Sequence, residues 1–155
     1  MRLKSRHILI RVVYDNETPD LSLSLPQLAK AISNQVESNF GDYGGMVLKF
    51  AYQLKYFNAV TGLAIIRIPR DNNQLVLYAM SCLKMLAGKP CKLDILHISG
   101  TIKKCQLVAI EVSREYLKEL SLRTFLTSLN APVVINGGEK ALGLTSDANA
   151  AANAA

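Results

Sequence analysis

The order of apolar and polar positions predicts most of the elements of this chain. His7-Ile8-Leu9-Ile10-Arg11-Val12-Val13-Tyr14 is rich in β-branched residues and predicts a first, largely buried strand. A polar loop over residues 15–24 follows. Ser24-Leu25-Pro26-Gln27 then has the form of a capping box. Leu25, Leu28, Ile32, Val36 and Phe40 recur at spacings of three and four, the stripe of an amphipathic helix, and Gly41 is its natural stop. Gly41-Asp42-Tyr43-Gly44-Gly45 predicts a loop of unusual backbone angles, and residues 46–53 read equally as a short helix or a lead-in to a strand.

Residues 53–57 and 62–69 predict a hairpin turned by 58–61. Asp71 and Gln74 form a second capping pair, opening a helix through Leu75, Tyr78, Ala79, Cys82, Leu83 and Leu86 that Gly88 and Pro90 end. Residues 92–98 alternate as a fourth strand, turned at Ser99-Gly100. Cys105, Val108, Val112, Tyr116 and Leu120 sit at helical spacing, although the run 108–112 would also suit a strand. Residues 132–135 read as a short strand. The order β–α–β–β–α–β with a further helix is that of a single ferredoxin-like α/β sandwich (α+β), an antiparallel sheet with helices on one face. One domain over residues 1–138 is expected, and 139–155, ending in a low-complexity Ala/Asn-rich stretch, is expected to be a disordered tail.

Composition adds a direction. The net charge of +6 is uneven: residues 1–104 hold fourteen Lys/Arg against seven Asp/Glu, and 105–155 hold four against five. A basic body favours a polyanion, although it serves solubility equally well. Cys82, Cys91 and Cys105 lack metal-ligand spacing and read as core thiols in a reducing compartment. No apolar run reaches the roughly 18–20 residues of a membrane span, and a soluble intracellular protein is expected.

Candidate chemistry is cationic. G-x-S-x-G, H-E-x-x-H and Walker patterns are absent, so no catalytic residue is nominated. His7 and His97 read as satisfied structural histidines, and Asp42 as a turn residue. The aromatic RNA-stacking motif of related sandwiches is missing too, and Tyr56-Phe57 is assigned to the core. Arg2, Lys4 and Arg6 fall at every second position, so an extended arm would project all three from one face. With Lys55, Arg67, Arg70, Lys103 and Lys104 they are the candidate RNA-binding residues, suited to positioning a phosphate backbone without reading bases. Ser99-Gly100-Thr101-Ile102-Lys103-Lys104 reads equally as an anion site at a helix start or as a plain capped turn.

These pieces, in order, resemble a known family. Arg2-Leu3-Lys4-Ser5-Arg6-His7-Ile8-Leu9 is similar to its opening R-L-K-x-R-Y-[IL]-L, with His7 where the family has Tyr. Gly41-Asp42-Tyr43-Gly44, Leu54-Lys55-Tyr56-Phe57, Thr61-Gly62 with Ile65-Ile66-Arg67, and the segment from Ser99 to Cys105 follow. The resemblance, over roughly residues 1–112, is to the small protein subunit shared by ribonuclease P and ribonuclease MRP in archaea and eukaryotes. It implies a non-catalytic subunit bound to the catalytic RNA, whose own Mg²⁺ removes the 5′ leader of precursor tRNA or processes precursor rRNA. It implies a TIM-barrel-like protein partner and other ribonuclease P/MRP proteins, with precursor tRNA near the N-terminal arm. No protein-bound cofactor and no membrane contact are expected. The long 15–24 loop suggests a eukaryotic protein of the nucleus and nucleolus; an archaeal one would be cytoplasmic. The competing reading is a ferredoxin-like protein-interaction adaptor without direct RNA contact. A small-ligand regulatory domain would need a pocket that the sequence does not announce.

Overall fold

The computed structural model describes residues 4–135. The chain divides into two compact units, Met1–Glu111 and Val112–Ala155. The first unit carries β1 (Ser5–Tyr14), α1 (Leu25–Ala51), β2 (Gln53–Asn58), β3 (Leu63–Pro69), a 3-10 turn (Arg70–Asn72), α2 (Asn73–Cys82), β4 (Met85–Leu86) and β5 (Lys89–Ser99). A last helix, α3 (Ile102–Ile135), opens in the first unit and supplies the described part of the second.

All strand pairs are antiparallel, in the order β2-β3-β1-β5-β4. Setting aside the two-residue β4, this is the ferredoxin-like arrangement expected from the element order. The central strand β1 is buried on both faces over residues 8–10, where its apolar run is continuous. Ile8, Ile10, Val12 and Tyr14 join Ala64, Ile66 and Ile68 of β3 in the main core, with Leu28, Ile32 and Val36 of α1 and Val76, Ala79 and Met80 of α2. Phe40 and Tyr78 link the two helices edge to face, ring centroids 5.8 Å apart. On the opposite face Leu9, Leu63 and Ile65 are buried outside that core. There the opening of α3 meets the sheet: Cys105 is fully buried and its Sγ donates to the His7 carbonyl at 3.3 Å.

Several elements differ from expectation. Gly41 breaks the first helix as predicted (φ 64°, ψ −153°), but residues 42–51 resume it rather than forming a loop. The second segment folds back closely: a Cβ on Gly44 would lie 2.9 Å from Phe40 Cβ, Val36 Cγ1 and the Val36 carbonyl. Only glycine allows that approach. The expected capping box stands at the helix start, where the Ser24 N–H donates to Gln27 Oε1 at 2.9 Å.

The second helix starts and ends differently. Asn72 stands at its cap without a side-chain hydrogen bond, so Asp71 and Gln74 are not a capping pair. Helix α2 stops at Cys82, and Met85 and Leu86 turn back through Ala87 and Gly88, both at positive φ, to pair with Pro90 and Lys89. This tight turn competes with helix extension and wins. Residues 132–135 belong to α3, not to a strand, and so does the ambiguous run 108–112. The expected tail, 139–155, lies outside the described residues.

The 15–24 loop is tied down by Asp20. Its Oδ1 accepts the Ser22 hydroxyl at 2.6 Å and its Oδ2 meets Lys89 Nζ at 2.9 Å. Together, the Ser22 hydrogen bond first and then Lys89, these hold the carboxyl down at about 2.

Candidate nucleic-acid interface

Strand register brings the candidate cations together. Ser5 pairs with Pro69, Arg6 with Ile68, and His7 with both Arg67 and Ser99. The start of β1 therefore lies between the end of β3 and the end of β5. Just outside the sheet, the Arg70 N–H donates to the Lys4 carbonyl at 2.9 Å, fixing those two residues side by side. Arg6 Nη1 approaches Gly100 so closely that a Cβ there would sit 2.9 Å from it, which brings the guanidinium to the turn before Lys103 and Lys104. Gln53 pairs with Arg67, placing the start of β2 at the same end.

Seven of the eight nominated residues, Lys4, Arg6, Lys55, Arg67, Arg70, Lys103 and Lys104, thus gather at one end of the sheet from four separate stretches of the chain. All but half-buried Arg6 are exposed, and none forms a salt bridge with a described residue. Arg2 lies outside the described residues. Cations held together without carboxylates repel one another, and a polyanion relieves that repulsion.

His7 registers the field of the cluster. The side chain is half-buried and its Nδ1 has no hydrogen-bond partner, so it is not the satisfied histidine that its place in a buried strand suggests. Burial, and then the charges of Arg67 and Lys55, push its pKa below the ordinary value.

The hairpin needs one correction. The pairing of β2 and β3 shifts between Leu54 and Tyr56, so Lys55 is an extra, bulged residue. Phe57 then pairs with core residue Ala64 and packs against the core, as expected. Tyr56 instead pairs with Ile65, and its side chain is 42% exposed on the face that carries Arg67 and His7. An exposed ring beside cations is able to stack on a base. Plain alternation missed it because the bulge resets the phase of the strand.

No group of three or more His, Cys, Asp or Glu side chains among the described residues is placed to hold a metal ion. Nor is any described helix long and apolar enough to cross a membrane. Cys91 and Cys105 are buried thiols, and Cys82 is half-buried.

Fold and site together define a ferredoxin-like α+β domain with a basic sheet end whose cations form no salt bridge among the described residues. The chain belongs to the Rpp14/Pop5 family, whose profile matches residues 6–110. It is 33% identical over 131 residues to the ribonuclease P/MRP protein subunit POP5 of Schizosaccharomyces pombe, spanning 79% of this chain and 94% of that protein. The human subunit of the same name is 30% identical, over 76% of this chain and 74% of its own length. The probable POP5 subunit of Arabidopsis thaliana is 31% identical over 76% and 82%. A chain in the cryo-EM structure of yeast ribonuclease MRP shares the fold, with a TM-score of 0.50 at 14% identity over 79% of this chain and 98% of that one. The family read from the ordered motifs is thereby established.

Proposed function

We propose that this chain is a non-catalytic protein subunit of ribonuclease P and ribonuclease MRP, gripping the catalytic RNA through its phosphate backbone. The convergence of Lys4, Arg6, Lys55, Arg67, Arg70, Lys103 and Lys104 on one sheet end, without carboxylate partners among the described residues, carries this reading. Phosphate contacts of this kind position a protein without reading sequence, and counterion release supplies much of the affinity. Lys4 and the start of β1 contact precursor tRNA near the cleavage site in this reading. Tyr56 adds a stacking surface for a base left unpaired by the RNA fold.

In this reading Mg²⁺ is held by the RNA, which performs leader removal from precursor tRNA and the cleavage of precursor rRNA. The protein contributes charge neutralisation and positioning. Its partners are the catalytic RNA, a TIM-barrel-like subunit and further ribonuclease P/MRP proteins, and its location is the nucleus and nucleolus, or the cytoplasm in an archaeal cell.

Filter binding to a ribonuclease P RNA transcript across a salt series tests the RNA contact. Arg67→Ala should weaken binding and reduce the slope of log affinity against log salt by about one unit. An unchanged affinity and slope would remove Arg67 from the interface.

A second reading, a protein-interaction adaptor, draws on α3. Leu122, Phe125, Leu126 and Leu129 recur at spacings of three and four there and are all exposed. An adaptor would hold RNA only through a protein partner, so retention of the RNA transcript by the isolated chain separates the two readings.

A further inference from the structure

The histidine at the centre of the cation cluster has a use of its own. His7 stands between Arg67 of β3 and Ser99 of β5 in the sheet register, with Lys55 of β2 near enough for its charge to act on the ring. The opening turn of α3, with Lys103 and Lys104, comes down beside it through the Cys105–His7 contact. Along β1 the next residues on its face are Leu9 and Arg11, and Leu9 pairs with His97. Both charges that act appreciably on the imidazole are cationic.

Its nitrogens are unequal. Nδ1 is buried without a hydrogen-bond partner, so Nε2 is the nitrogen left for an outside contact on this half-buried residue. An imidazolium here would place an unpaired N–H in the protein and a third positive charge beside Arg67 and Lys55. Both effects hold the ring neutral while the site is empty of anions. A backbone phosphate docked on those cations reverses the second effect, and it also offers Nε2–H a charge-assisted acceptor.

We propose that His7 is a further RNA-contacting residue, neutral in the free protein and protonated at a docked phosphate, so that RNA binding takes up one proton from solvent. The inference rests on the RNA-binding reading above and adds a property that no lysine or arginine of the cluster provides. Lysine and arginine stay charged throughout the physiological range, whereas histidine changes charge within it. Affinity then rises as pH falls, through the window between the depressed value of the free protein and the higher value of the complex. One proton allows at most about tenfold per pH unit.

The test uses the full-length chain with its histidines isotopically labelled, titrated by NMR between pH 5 and 8, alone and with a ribonuclease P RNA transcript. The chain has two histidines, and His97→Gln assigns the signals. The expected result is a His7 titration midpoint that moves up on adding RNA. Filter binding should be roughly three- to tenfold tighter at pH 5.5 than at pH 7.5. His7→Gln should bind RNA with that pH dependence removed, and wild-type NMR decides the matter even if this variant folds poorly. A His7 midpoint unmoved by RNA, in a protein whose binding Arg67→Ala still weakens, overturns the His7 inference alone and leaves a neutral Nε2–H donor at most. Failure of the isolated chain to bind RNA at any pH overturns the inference together with the reading beneath it.

Discussion

At the scale of single residues, the cluster is built from side chains that strand pairing carries together, His7 lying opposite Arg67 and Gln53 opposite the same residue on the other side. Lys55, Arg67 and Arg70 interrupt apolar patterns, and the structure brings them to one place because antiparallel register carries strand ends into contact. Tyr56, which sequence pattern assigns to the core, and His7, which it reads as a satisfied structural histidine, are misjudged for a shared reason. Their surroundings are set by partners on other strands, and in β2 an inserted Lys55 breaks the alternation that would have shown which side chain faces out. Asp20 is a third residue whose role lies in its partners. Its carboxyl is held at about 2, below the ordinary 3.8, by Ser22 and Lys89. The stability it contributes is present in full above about pH 4 and is lost as pH falls through 2. Asp20→Asn should therefore melt at a lower temperature than wild type at pH 7, with the two curves converging between pH 4 and 2. Thermal unfolding followed by circular dichroism over that range checks it; a gap that persists at pH 2 would mean that packing, not charge, accounts for the loss.

At the scale of elements, long periodic segments announced themselves and short ones did not. The first part of α1 follows from a helical stripe, and β1 and the β2–β3 hairpin from short apolar runs bounded by turn residues. Resumption of α1 after Gly41 has no such signal, since residues 42–51 are mixed in polarity and fold by packing back on Val36 and Phe40. β4 is only two residues long, and its turn overrides an apolar spacing that suits a helix. The two neighbouring glycines of the resumed helix should answer oppositely to the same change. Gly44→Ala forces a methyl to within 2.9 Å of Val36 and Phe40 and should cost about 1–3 kcal/mol. Gly45→Ala meets nothing nearer than 3.7 Å and should stabilise by roughly 0.5–1 kcal/mol. Urea midpoints at constant slope measure both, and equal signs would contradict the close approach.

At the scale of the molecule, the question is whether RNA responds to total charge or to its arrangement. Lys30 and Lys49 on α1 and Lys84 after α2 are exposed cations outside the cluster. Replacing Lys55, Arg67 and Lys103 with Gln should abolish most RNA binding, whereas the same replacement at Lys30, Lys49 and Lys84 should leave it within about threefold, although both sets remove the same net charge. Similar losses in filter binding would reduce the site to a property of overall charge.

The contact between Cys105 and His7 spans 98 positions of sequence. The cluster beside it is assembled from residues as distant in sequence as Lys4 and Lys104. In the proposed reading, a chain emerging from the ribosome would therefore lack its RNA-binding surface until β5 and the first turn of α3 are in place. On that reading, affinity for RNA would report completed folding.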